Sequence, residues 1–217
     1  GLLKVDFGVH IDGWIADTAF SLDLENNPEN KKLIQASEEA LKNAAKIIKE
    51  KITTSEVGKV IQETIESFGF SPIVNLSGHE MLQYDLHAGI VIPNIEDSKD
   101  IKLKKGLYAI EPFATKGSGK VYDGKPSGIY RLTNMRNLRN PIARNILKFI
   151  EEEYQTLPFC SRWLVKKFGT KALFALKQLE ANDNLHHFPQ LVEVSHNKTS
   201  QAENTILIDK EKIVTTE

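Results

Sequence analysis

Val5-Asp6-Phe7-Gly8-Val9-His10-Ile11-Asp12-Gly13-Trp14-Ile15-Ala16-Asp17-Thr18-Ala19-Phe20 is the stretch that decides the fold. Asp-Gly between two apolar-rich runs is a strong signal for a two-residue β-hairpin. With that turn Ile11 faces Trp14, and the numbers of every opposed pair sum to 25. Asp17 then lies opposite Gly8, and Asp6 opposite Ala19. Opposed and alternate residues share a face, so Asp6 and Asp17 project together as diagonal neighbours, roughly 7–8 Å apart at the backbone. Gly8, Ala19 and Ser21 leave a clearing around them. The other face carries Val5, Phe7, Val9, Ile11, Trp14, Ala16, Phe20 and Leu22 and is expected to pack on helices. Aspartates on a hairpin are ordinarily solvated, but aspartate is disfavoured in strands and like charges this close repel. A divalent cation held by oxygen ligands removes that conflict.

Outward from the hairpin, Pro28 begins a helix whose apolar stripe is Leu33, Ala36, Ala40, Leu41, Ala44, Ile47 and Ile48. A second helix starts at a capping box, Thr53 with Glu56, and stops at Gly69. Residues 71–95 read as irregular, punctuated by Pro72, Gly78, Gly89 and Pro93. Strands are expected over 106–115, 120–133, 190–195 and 202–208, with a helical texture from Pro141 to Asn182. These readings give an α+β chain with one domain over 1–139 and 190–217 and a helical insert over 140–189.

Further metal-ligand types lie outside the hairpin. His79 and His87 stand eight apart in Leu76-Ser-Gly-His-Glu-Met-Leu-Gln-Tyr-Asp-Leu-His-Ala-Gly89, where Gln83 rules out the helical H-E-x-x-H zinc motif. Glu111 precedes Pro112, which implies an edge or a bulge in its strand, and Glu203 opens the strand that ends at Ile208. Taken alone, either glutamate reads as a salt-bridge partner or a solvated residue, and a lone histidine as a surface or core residue. Lys116-Gly-Ser-Gly-Lys120 lacks the P-loop pattern, no G-x-S-x-G elbow occurs, and Cys160 reads as a helix residue rather than a nucleophile. The 217 residues balance 28 Lys plus Arg against 29 Asp plus Glu, which excludes a strongly basic nucleic-acid binder. The basic run Lys125, Arg131, Arg136, Arg139, Arg144 and Lys148 reads as a solvated face balanced by Glu151 to Glu153, with an RNA-facing patch as the other reading. One cysteine forbids an intrachain disulfide and favours a reducing compartment, and no apolar run suggests a membrane span.

Taken together, Val5-Asp-Phe-Gly-Val-His10 with Asp17, Ser77-Gly-His79, His87-Ala-Gly89, Tyr108-Ala-Ile-Glu111 and Gln201-Ala-Glu-Asn-Thr205 resemble the methionine aminopeptidases of type 2. The stretches Thr156-Leu-Pro-Phe-Cys160 and Arg162-Trp-Leu164, in the helical inset, set type 2 apart from type 1. The resemblance implies a pita-bread (creatinase/aminopeptidase) fold, a curved antiparallel sheet with helices outside. It implies two divalent ions (cobalt, manganese, iron or zinc) held by Asp6, Asp17, His79, Glu111 and Glu203, with Asp17 and Glu203 bridging. It further implies hydrolysis of an N-terminal methionine from nascent polypeptides with a small second residue, through a metal-bridged hydroxide. By the same resemblance Glu111 is the proton shuttle, His87 contacts the scissile peptide, and Leu86 and Phe188 wall the methionine pocket. Nascent-chain N-termini are the implied partners, with a ribosome contact, a monomeric state and a cytoplasmic location as further expectations. The family's upstream segment, with its additional histidine, has no counterpart here, so the fold is expected to be N-terminally incomplete and the chain part of a longer enzyme. The rival readings are a prolidase or Xaa-Pro aminopeptidase of the same fold, and a non-catalytic homologue that binds RNA or protein.

Overall fold

The computed structural model describes residues 1–216. In chain order the hairpin strands β1 (Leu2–Ile11) and β2 (Trp14–Asp23) lead to helices α1 (Pro28–Ile47) and α2 (Thr54–Ser67). Short strands β3 (Ser71–Pro72), β4 (Ser77–Met81), β5 (Val91–Pro93), β6 (Gly106–Ile110) and β7 (Phe113–Thr115) follow. Next come β8 (Val121–Leu132), α3 (Pro141–Glu153), β9 (Phe159–Cys160), α4 (Ser161–Phe168), α5 (Lys171–Ala181) and β10 (Leu185–Glu193). The chain ends with β11 (Thr199–Gln201), β12 (Asn204–Ile208) and β13 (Lys212–Val214). Two compact units result: Gly1–Tyr122 with Val192–Glu217, and Asp123–Leu191. Among the described residues no helix is long and apolar enough to cross a membrane.

In the first unit the local signals act as read. Asp12 and Gly13 both take positive φ (50° and 82°), the two-residue turn fixes Ile11 opposite Trp14, and Asp6 pairs with Ala19. The Asn27 side chain caps α1 by accepting from Glu29 N–H at 2.8 Å, and Thr53 with Glu56 closes the capping box of α2. Leu33, Ala40, Ala44, Ile61 and Ile65 of these helices bury against Tyr108, Ile110 and Ile206 of a five-stranded sheet ordered β13-β12-β6-β4-β5. Burial of each large aliphatic side chain there contributes about 1.5–3 kcal/mol. A three-stranded sheet, β11-β7-β3, continues from it, because β6 runs into β7 and β11 into β12 through short breaks at 111–112 and 202–203.

Several readings are corrected. Residues 71–95 are not irregular throughout: β4 is an interior strand, paired with β5 on one side and β6 on the other. Its polar composition, Ser-Gly-His-Glu-Met, hides it from a periodicity argument, and Gly78 serves close approach, since a Cβ there would lie 2.3 Å from the Ala109 carbonyl oxygen. The span 106–115 is two strands in two sheets, and the strand expected over 202–208 is β12, preceded by the separate β11 in the other sheet. Cys160 is not within a helix but ends β9 and stands at the position just before α4, with no side-chain capping bond. The hairpin's apolar face does not pack on helices: Phe7, Val9, Ile11 and Trp14 are 49–80% exposed. The face that is buried carries Ile15, Asp17, Ala19 and Ser21, because it is this face that meets β11 and β12.

The second unit closes on its own core. Ile146, Ile150, Leu164, Leu176 and Leu179 from its three helices pack on Tyr130, Phe159 and Leu185 of a sheet ordered β10-β8-β9. Asn140 caps α3, accepting from Ile142 N–H at 2.9 Å.

Glu193 latches two turns of the first unit. Its carboxylate accepts backbone N–H bonds from Ser118 (2.7 Å), Ser195 (2.8 Å) and Asn197 (2.9 Å), besides the Ser118 and Ser195 hydroxyls. Burial alone would raise this carboxyl, but the bonds from Asn197, Ser195 and Ser118 bring it down to about 2. A lowered carboxyl pKa stabilises the fold above the unfolded value, and that contribution is lost as pH falls from about 4.5 to 2. Glu193→Ala strands three N–H groups, and we expect a loss of about 2–4 kcal/mol in urea unfolding at pH 7. The difference from the parent should shrink steadily below pH 4.5.

Candidate metal centre

Hydroxyl side chains dock the hairpin onto the sheet break in β11–β12. Ala19 and Glu203 exchange backbone hydrogen bonds, Glu203 N–H to Ala19 O at 2.8 Å and Ala19 N–H to Glu203 O at 3.3 Å. On one side Ser21 takes both ladder bonds of Gln201, accepting its N–H (2.9 Å) and donating to its carbonyl (2.8 Å). On the other side Thr205 does the same for Asp17, accepting its N–H (2.7 Å) and donating to its carbonyl (2.8 Å). The Thr18 hydroxyl adds a bond to the Glu203 carbonyl at 2.9 Å. The pairs Ser21–Gln201, Ala19–Glu203 and Asp17–Thr205 thus keep one antiparallel register, which places the Asp6–Asp17 face of the hairpin against Glu203.

The same register logic carries His79 and Glu111 to this spot. Thr205 pairs with Ala109, and Ala109 pairs with His79, so the three lie in one row across β12, β6 and β4 and share a face. Ala109 is small and leaves room between its neighbours. Glu111 follows two residues later on that face, at the break before Pro112. Both glutamates therefore sit where paired strands change sheets, and Ala202 N–H bonds the Pro112 carbonyl across the two breaks at 3.3 Å.

Donor atoms of Asp17, His79 and Glu203, all three buried, lie within 4.8 Å of one another. Glu111 Oε1 stands 3.6 Å from His79 Nε2. Asp6, on the exposed strand, joins through Gln201, whose amide Nε2 donates to Asp6 Oδ2 at 2.9 Å and to Glu111 Oε2 at 3.4 Å. The His87 ring meets the His79 ring edge-on, centroids 4.5 Å apart. The turn before His87 is pinned to the hairpin tip: Tyr84, at φ 60°, donates its N–H to Gly13 O at 2.9 Å, and the Gln83 amide donates to Asp12 O at 2.7 Å. Leu86 is half-buried beside His87 in the same turn. Phe188 lies on β10 in the second unit, its ring edge-on to His186 at 4.7 Å.

Such a set of carboxyls repels itself. Burial, then Glu111, Asp17 and Asp6, push Glu203 up to about 11. Burial, Asp6 and Asp17 hold Glu111 well above the carboxylate range, and burial with Asp6 raises Asp17 to about 6. Burial and His87 lower His79 to about 4, which keeps its imidazole neutral and able to ligate. Glu203 Oε2 is buried with no hydrogen-bond partner. An orphaned carboxylate oxygen, a neutral imidazole and mutually repelling carboxyls are what divalent cations would satisfy, so these residues fit such ions.

Residues 1–154 match the family model of metallopeptidase family M24. The chain belongs to that family. A methionine aminopeptidase of Methanocaldococcus jannaschii is 44% identical over 208 residues, covering 95% of this chain and 69% of that protein. A second, from Thermococcus onnurineus, is 45% identical over 212 residues, covering 96% of this chain and 71% of the relative. The branch of M24 to which the sequence belongs is thus the methionine aminopeptidases. Among solved structures, a thermophilic Arx1 superposes with a TM-score of 0.81 at 15% identity, over 97% of this chain and 65% of the other. A methionine aminopeptidase from Thermotoga maritima gives 0.64 at 24% identity, over 100% of this chain and 64% of that one. These two likenesses carry the M24 fold, and the chain spans about two thirds of the length of each.

Ser21, Gln201 and Thr205 are the site residues that the sequence reading did not assign. The signal was available: alternation puts residues 201, 203 and 205 on one face, opposite 21, 19 and 17.

Proposed function

We propose that this M24 chain removes the N-terminal methionine of nascent polypeptides in the cytoplasm, using two divalent ions held by Asp6, Asp17, His79, Glu111 and Glu203. The observation that carries the reading is the convergence of Asp17, His79 and Glu203 from three separate elements within 4.8 Å. Asp17 and Glu203 would be shared by the two ions, Asp6 would help hold one, and His79 with Glu111 would help hold the other. Divalent ions supply Lewis-acid polarisation of the scissile carbonyl and a water acidified to near neutrality. Glu111 Oε2, turned toward the Gln201 amide, receives the proton of the attacking water and hands it to the departing amine. His87, beside His79 but exposed, donates to the peptide carbonyl oxygen as charge develops there. Leu86, next to His87 in the same turn, presents apolar surface for the methionine side chain.

Methionine release from Met-Ala-Ser peptides by the metal-loaded chain tests the reading. The expected result is release that a chelator stops and that a large second residue such as Leu suppresses at least tenfold. Cleavage of Xaa-Pro peptides without methionine release would overturn it in favour of a prolidase-type activity.

A further inference from the structure

Gln201 is 3% exposed, and its side chain lies among groups that repel one another. Its backbone N–H and C=O are both bonded to the Ser21 hydroxyl, and at the end of β11 it pairs with Phe113 of β7, so its side chain leaves a rigid base. The amide Nε2 spans Asp6 Oδ2 (2.9 Å) and Glu111 Oε2 (3.4 Å), while the other oxygen of Glu111 faces His79 Nε2 at 3.6 Å. Asp6 comes from the hairpin and Glu111 from the break between β6 and β7, two elements with no common strand. With both carboxyls ionised, as ligation requires, only the NH2 end of an amide can face the two of them, because the carbonyl end has no proton to give.

We propose that Gln201 is a positioning residue that holds Asp6 and Glu111 in their metal-accepting orientations. The inference rests on the two-ion reading above, in which these are the non-bridging carboxylates, one for each ion. The side-chain type matters. An Arg or Lys would draw the same two carboxylates together, but its positive charge would compete with the cations. The neutral amide supplies two N–H donors and no net charge, so it orients the carboxylates and leaves their charge to the ions. Each carboxylate retains a second oxygen for ligation. Partners that orient ligands in this way are worth about 10- to 100-fold in metal affinity.

The test is calorimetric titration of the metal-free chain with Mn2+, read together with the electron paramagnetic resonance of the loaded protein. Gln201→Met keeps the length and bulk but removes both donors. Gln201→Asn keeps the donors but is too short to span both carboxylates, and it carries the test should the Met variant fail to fold. The unsubstituted chain is expected to bind two ions with the spectrum of an exchange-coupled pair. In either variant the weaker equivalent should lose about 10- to 100-fold in affinity, and isolated Mn2+ signals should appear at metal levels that saturate the parent. Two ions bound with unchanged affinity and a coupled spectrum would overturn the inference, whether or not thermal stability had fallen. Failure of the unsubstituted chain to bind two ions would overturn the two-ion reading itself, and this inference with it.

Discussion

Glu203→Gln abolishes methionine release, by at least three orders of magnitude, while the metal-free protein keeps its fold and unfolds at the same temperature or slightly higher. The two halves of that result have one cause. Without cations the Glu203 carboxyl is pushed up to about 11 by burial and by Glu111, Asp17 and Asp6, so at neutral pH it carries its proton. Glutamine is close in shape to a protonated glutamic acid, and it places no further negative charge beside the remaining carboxyls. Its backbone bonds to Ala19 are untouched, so the docking of the hairpin survives. What disappears is the charge that two cations would share. On the proposed two-ion reading, loss of a shared carboxylate would weaken the hold on both ions, and with them the polarisation and the acidified water that they would supply. Activity is read by methionine release, fold by far-UV circular dichroism and thermal unfolding. Substantial retained turnover would remove Glu203 from the ligand set.

The second large effect is a pH dependence that metal ions reverse. A carboxyl raised above its unfolded value stabilises the folded state fully below that value, and the stabilisation is lost as pH climbs toward the folded pKa. Glu203, raised from 4.5 to about 11, spans the whole neutral range in this sense, and Glu111 is raised in the same direction. His79 has the opposite sign: lowered from 6.5 to about 4, it gains stability for the fold as pH rises to 6.5 and contributes nothing beyond. Asp17, raised to about 6, has finished its loss by then. Between pH 6.5 and 8, therefore, the metal-free protein should lose on the order of 1 kcal/mol per pH unit from Glu203, seen as a fall of several degrees in melting temperature. Saturating Mn2+ displaces those protons and should flatten or invert the slope, so the stabilisation by metal grows with pH. Glu203→Gln should be the flatter of the two metal-free proteins across this window. A slope shared equally by parent and variant would contradict the assignment of the retained proton to Glu203.

Much of this site is legible in the sequence because a hairpin is a local object. Asp12-Gly13 fixes the turn, the turn fixes the register, and a period of two places Asp6 and Asp17 on one face without any long-range information. Glu111 and Glu203 are different. Pro112 marks an interruption, but that the interruption is a change of sheet, opposite an equivalent change at 202–203, depends on pairing between segments about ninety residues apart. Strand β4 is short and polar, so its place inside a five-stranded sheet comes from pairing on both sides rather than from its own pattern. The hairpin's faces show a further limit. Alternation separates the apolar face from the carboxylate face, but not which of them is covered: Ser21 and Thr205 bind the polar face to β11 and β12, while Phe7, Val9, Ile11 and Trp14 remain exposed. Hydrogen-bonded docking sets which face is covered here: the main-chain groups of Asp17, Ala19, Gln201 and Glu203 all find partners along the seam.

Anomalous diffraction from crystals of this chain grown with Mn2+ locates the ions against the five ligand residues. Two ions are expected, bridged by the carboxylates of Asp17 and Glu203, one completed by Asp6 and the other by His79 and Glu111. A single ion, or two ions bound without Asp17 or Glu203 between them, would contradict that arrangement.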